Sequence, residues 1–187
     1  MNCTTCPFDK QCRKTETCQA TLFDREEVIQ KYSEEPEIVQ AAASLVDHGR
    51  AGTLSRLQET IEFARQMKYK RLGLAYCYGM EKEVQQIAKI IRNNGMNVRA
   101  VSCTVGGIPQ NEVNPGSAYC SVSCNPIGQA AQLNRENVDL VVMIGLCLGH
   151  DILFQREIKA DFTTLVVKDR VHQHAPLKEL AKTESTI

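Results

Sequence analysis

From Lys70 onward, short apolar runs alternate with stretches of helical period. The runs 71–77, 97–103, 138–147 and 163–167 are rich in Val, Leu, Ile and Ala and bounded by Gly, Asn or Asp, which predicts strands. The run 138–147 is apolar throughout, as expected of a strand covered on both faces. Between the first two runs, Val84, Ile87, Ala88 and Ile91 recur at helical spacing over 80–94, and Gly95 is placed to end that helix. Asn125 and Pro126 read as N-cap and first residue of a helix reaching about Asn134. A short helix is expected over 150–157. A Gly-, Pro-, Asn- and Ser-rich loop, 104–119, separates the second strand from the helix at Asn125, and long loops in small domains are often functional.

Upstream lies a helical lead-in, 21–69. Pro36 begins one helix, with Ile38, Val39, Ala42, Leu45 and Val46 on its apolar face, and Gly49 and Gly52 interrupt it. Thr53 is the expected N-cap of a second helix carrying Leu54, Leu57, Ile61 and Ala64. The polar tail from Lys178 is expected to fray. Strands joined by helices imply crossover connections and a mostly parallel sheet with flanking helices, Rossmann-like or flavodoxin-like in class. The order of the strands is left open by the pattern.

Residues 1–20 stand apart, with four cysteines and few large apolar side chains. Such a segment cannot bury a core and needs another tie. This suggests two parts, a 1–20 knuckle and a 21–187 α/β domain.

Composition narrows the chemistry. Lys and Arg total 22, matched by 22 Asp and Glu, which gives no electrostatic case for nucleic acid or a membrane surface. Trp is absent, which removes the best base-stacking side chain. The first residues, Met1-Asn2-Cys3-Thr4-Thr5-Cys6, carry neither a basic nor an apolar leader, and the apolar stretch 140–148 is too short to span a bilayer. The expected compartment is the cytoplasm. There, nine cysteines point to metal binding or thiol chemistry more than to disulfides.

Two cysteine groups follow. Cys3, Cys6, Cys12 and Cys18 offer four soft ligands within a short loop, suited to zinc or an iron–sulfur cluster, though their spacing matches neither a common zinc ribbon nor the ferredoxin run. Cys77, Cys103 and Cys147 each end a predicted strand, and Cys120 and Cys124 lie in the segment after the second. If the strands are parallel, their carboxyl ends share the edge where open α/β sheets bind ligands. The competing reading is that buried cysteines serve as small hydrophobes. Cys124 also precedes a helix N-terminus, which favours thiolate. His150 and Asp151 follow a glycine-flanked turn and are acid/base or ligand candidates, with Asp151 equally suited to capping a helix. Lys168, Asp169 and Arg170 leave the last strand at the same edge and can orient an anion, or form an ordinary solvated turn. No dinucleotide fingerprint follows the first strand.

The motifs Cys124-Asn125-Pro126-Ile127-x-Gln129-Ala130, Gly145-Leu146-Cys147-x-Gly149-His150-Asp151 and Thr163 to Arg170 with His174 and Pro176 resemble the DUF1847 family. These are bacterial and archaeal proteins of unassigned function, often labelled metal-binding. The N-terminal cysteines and Ala75-Tyr76-Cys77-Tyr78-Gly79 are similar as well, and only 25–65 carries no motif. His174 belongs to the pattern; His172 does not and is set aside.

The resulting expectation is a protein with a 4Fe-4S iron–sulfur cluster, or zinc, on most of the five central cysteines, and zinc or a cluster on the four N-terminal ones. It would perform redox or sulfur-transfer chemistry on a small anionic molecule. The alternative is a non-catalytic metal-handling or sensing protein with a structural zinc knuckle.

Overall fold

The four apolar runs pair into one parallel sheet in the computed structural model, which describes residues 2–183. The strands are β1 (Arg71–Tyr76), β2 (Asn97–Ser102), β3 (Leu140–Ile144) and β4 (Asp161–Val166). Their order is β2-β1-β3-β4. Leu72 faces Val98 on one side and Leu140 on the other. The connection from β2 to β3 must pass over β1, so the winding reverses between β1 and β3. In open α/β sheets that reversal opens a crevice at the strands' carboxyl ends. The α/β class is thus established, with the flavodoxin-like strand order.

The helices are α1 (Arg25–Glu34), α2 (Pro36–Ser44), α3 (Arg56–Gln66), α4 (Glu81–Asn93), α5 (Gln110–Val113), α6 (Pro126–Arg135), α7 (His150–Glu157) and α8 (Leu180–Thr183). Alternation along the strands divides the core into two layers. Leu72, Leu74, Leu140 and Val142 pack with Ile61 and Ala64 of α3 and with Val84, Ala88 and Ile91 of α4. Ala75, Val141 and Met143 pack with Ala130 and Leu133 of α6 and with Phe154 of α7. Gly73 sits on this second face because a Cβ there would lie 3.0 Å from Leu133 Cδ2 and 3.1 Å from Val141 Cγ2.

Local chemistry sets the boundaries. Gly95 closes α4 with φ +84°, and Asn125 Oδ1 accepts the Gly128 N–H to open α6. β3 is shorter than the apolar run 138–147. At its start, Asp139 Oδ2 accepts the N–H groups of Lys70 and Arg71, and at its end Gly145 turns away with φ +63°. The N-cap of α3 is Ser55 rather than Thr53. Ser55 Oγ and the Gln58 side chain cap one another's backbone N–H groups, while the Thr53 hydroxyl donates to the Arg50 carbonyl. Within the loop expected over 104–119, α5 forms, and Pro109 bridges antiparallel to Val122. Across the start of the segment expected to fray, a 3₁₀ turn over Pro176–Glu179 leads into α8. Residues 184–187 lie outside the described residues.

The chain divides into two compact units, Met1–Ala43 and Ser44–Ile187. The first carries two 3₁₀ turns, Cys3–Thr5 and Gln11–Lys14, together with α1 and most of α2. Among the described residues, no helix is long and apolar enough to cross a membrane.

Candidate functional site

Four of the five central cysteines line one crevice at the carboxyl edge of the sheet, together with Pro126, Gln129, Leu146 and His150. Each arrives from a different element. Cys77 follows β1, and its N–H donates to the Ile144 carbonyl of β3 across the point of reversal. Cys103 follows β2 and donates its N–H to the Tyr76 carbonyl. Cys124 precedes the cap of α6, and the Asn125 N–H reaches the Cys103 carbonyl at 2.6 Å. Cys147 lies in the turn between β3 and α7, its carbonyl accepting the N–H groups of His150 and Asp151. Cys120 is exposed and does not line the crevice.

Cys77 and Cys103 are buried, while Cys124 and Cys147 are half-buried. The Cys124 and Cys103 sulfurs stand 3.6 Å apart. The Tyr78 N–H points at the Cys103 sulfur from 3.4 Å. Burial pushes the Cys103 thiol up to about 12, the Tyr78 N–H opposing it and the neighbouring Cys124 and Cys77 adding to it. Burial likewise raises the Cys124 thiol. In the metal-free protein, burial therefore favours the protonated thiol at Cys103.

The charged candidates separate by role. Lys168 Nζ donates to Cys77 Sγ at 3.4 Å, and Arg170 Nη2 donates to Cys147 Sγ at 3.2 Å. The Cys147 sulfur raises the Arg170 guanidinium above its ordinary value. His150 reaches the crevice wall. Asp151 does not face the sulfurs: its Oδ1 accepts the Gly149 and Ile152 N–H groups and braces the turn. Asp169 likewise binds its own loop and not the sulfurs. Its Oδ1 accepts the Val171 and His172 N–H groups, and its Oδ2 lies 3.1 Å from His172 Nδ1. Those contacts, led by the His172 backbone N–H, hold the carboxyl below its usual range.

Two residues gain importance only in three dimensions. His172, discounted by motif, is a nearly buried link whose Nε2 lies 3.1 Å from Glu179 Oε2. Gln129 is fully buried, and its Nε2 donates to the Tyr76 and Val101 carbonyls. The available signal for Gln129 was a polar residue on the apolar face of α6.

In the N-terminal unit, Cys3 and Cys12 are exposed and Cys6 and Cys18 half-buried. Backbone N–H groups of Phe8 and Lys10 lower the Cys6 thiol. Left-handed backbone at Asp9 and Lys10 makes that tight turn. Among the described residues, no set of three or more His, Cys, Asp or Glu side chains is arranged to hold a metal ion, here or in the crevice.

The family description "protein of unknown function" attaches to a family model that matches residues 14–165. The chain belongs to the DUF1847 family. It is 37% identical over 180 residues to the uncharacterised protein MJ0455 of Methanocaldococcus jannaschii, a match covering 93% of this chain and 90% of that one. No solved structure matches significantly. The DUF1847 match spans all four crevice cysteines, Cys120, His150 and Asp151, and leaves Cys3, Cys6, Cys12 and Lys168 to Arg170 outside it.

Proposed function

We propose that the protein holds a soft metal centre on Cys77, Cys103, Cys124 and Cys147. The observation that carries this reading is that four thiols from four separate elements line one crevice at the reversal point of the sheet. Four sulfurs suit zinc or an iron–sulfur cluster. With Zn–S bonds of about 2.3 Å, the edge of a sulfur tetrahedron is about 3.8 Å, close to the 3.6 Å between Cys103 and Cys124. A 4Fe-4S cluster on the same ligands would instead require the sulfurs to move apart. A cluster on these ligands would supply one-electron chemistry, whereas a zinc ion closed by four thiolates would be structural. The protein's own part is to surround that centre with Lys168 and Arg170, which donate to the Cys77 and Cys147 sulfurs, and to offer His150 for proton transfer. A reduced thiol site of this kind suits the cytoplasm.

A second reading, a non-catalytic metal-handling or sensing protein with a structural zinc knuckle on Cys3, Cys6, Cys12 and Cys18, is favoured by the Cys6 sulfur. The backbone N–H groups of Phe8 and Lys10 lower the Cys6 thiol, which favours the thiolate that a zinc ligand needs.

The test is elemental analysis of anaerobically purified protein for zinc, iron and acid-labile sulfide, in wild type and Cys147→Ala. Iron with sulfide that disappears in the variant supports a cluster in the crevice. Zinc that falls by about one equivalent supports a single ion there. Equal metal in both proteins, or none in either, rejects the crevice as a metal centre.

A further inference from the structure

We infer that the loop after β4 is a charge clamp for the crevice: Lys168 and Arg170 match it to a divalent centre held by four thiolates, and Asp169 with His172 keeps the clamp in place. This rests on the metal-thiolate reading above and adds the residues that set its charge.

Lys168 and Arg170 flank Asp169 on the irregular chain that leaves β4. The two cations reach different sulfurs, Cys77 at 3.4 Å and Cys147 at 3.2 Å. Among the described residues, neither forms an ion pair with a carboxylate. They are spent on sulfur.

Asp169 would spoil this arrangement if it faced the crevice. Instead, its carboxylate folds the loop back on itself through the N–H groups of Val171 and His172. The His172 ring lies 3.1 Å from Asp169 Oδ2 and 3.1 Å from Glu179 Oε2, joining the loop to the 3₁₀ turn before α8. The Asp169 N–H donates to His174 Nδ1 at 3.2 Å. Asp169 and His172 are positioning residues for the two cations.

The charges then balance. Four thiolates around a divalent ion leave two negative charges, and Lys168 and Arg170 supply two positive ones. A buried charge is costly unless paired, and donors to metal-bound ligands typically govern affinity by about 10–100-fold.

The decisive experiment is Zn²⁺ affinity by chelator competition on the full-length, metal-stripped protein, with Cys147→Ala as the blank that isolates the crevice. Lys168→Met and Arg170→Met are each expected to weaken crevice binding by about 10–100-fold, and Lys168→Arg to restore most of it. Added salt should weaken wild-type binding more than that of the double Met variant, a response that a merely structural role would not produce. Asp169→Asn should weaken binding while leaving both cations in the chain; if it fails to fold by circular dichroism, the two Met variants decide. Wild-type affinity in both Met variants, with binding still lost in Cys147→Ala, overturns the clamp and leaves the metal centre standing. Zinc binding that Cys147→Ala does not reduce overturns both.

Discussion

The sulfur of Cys124 lies 3.6 Å from that of Cys103, although the residues are 21 apart in sequence. The contact is made by backbone: the Asn125 N–H bonds the Cys103 carbonyl, so the start of α6 is tied to the end of β2. Asn125 spends its side chain in the same place, its Oδ1 capping α6 and its Nδ2 donating to the Val105 carbonyl. The loop between the two cysteines is long, yet its two ends are clamped.

The crevice cysteines and Cys120 should therefore separate by mutation. Cys120→Ser is expected to retain the wild-type metal content, because Cys120 is exposed and does not line the crevice. Cys124→Ser should lose about one equivalent of zinc, or the corresponding iron and sulfide. Elemental analysis of the two variants side by side checks this.

Metal-free protein should weaken at alkaline pH. Burial holds the Cys103 thiol up to about 12, whereas the unfolded thiol titrates near about 8.5. Between those values the folded state retains a proton that the unfolded state has lost, so stability falls as pH rises. The contribution is fully present below the unfolded value and gone above the folded one. Cys124 shifts in the same direction. Urea midpoints measured upward from neutral pH should decline, and Cys103→Ala should flatten the decline.

Gln129 should matter for stability out of proportion to its place on a helix. Its Nε2 donates to the Val101 carbonyl at 2.8 Å and the Tyr76 carbonyl at 3.1 Å, and the side chain is fully buried. Tyr76 keeps a second donor in the Cys103 N–H. Gln129→Leu is thus expected to cost about 1–3 kcal/mol, the penalty for a buried polar group left without its partner. Urea unfolding of the variant against wild type measures it.

The start of α3 offers a cleaner test of a boundary. Ser55→Ala removes one half of the Ser55–Gln58 capping box and should cost about 1 kcal/mol. Thr53→Ala removes only a hydroxyl that donates to the Arg50 carbonyl on an exposed turn, and should cost less. Thermal or urea unfolding of both variants distinguishes the two caps.

Periodicity and punctuation alone determined most of the scaffold. The apolar runs at 71–77, 97–103, 138–147 and 163–167 could only be strands covered by helices, and Asn125-Pro126 and Gly95 marked helix ends that the structure keeps. These are local signals, written within a few residues of where they act. The α3 cap shows their limit: Ser55 and Gln58 carried the better signature, and Thr53 was the nearer but weaker one. α1, at Arg25–Glu34, has a surface too polar to mark a buried face.

The strand order could not be read, because each crossover can land on either side of its predecessor. Tertiary structure decided it, and with it the meeting of Cys77 and Cys147 on either side of the reversal between β1 and β3. The sequence could say that several cysteines would reach one edge; it could not say that Cys120 would stay outside. Nor could it distinguish Lys168 and Arg170 from Asp169. That separation comes from the turn after β4, where Lys168 and Arg170 donate to sulfur while Asp169 accepts from Val171 and His172, and from His172, whose ring lies beside Asp169 and Glu179 only in the folded loop.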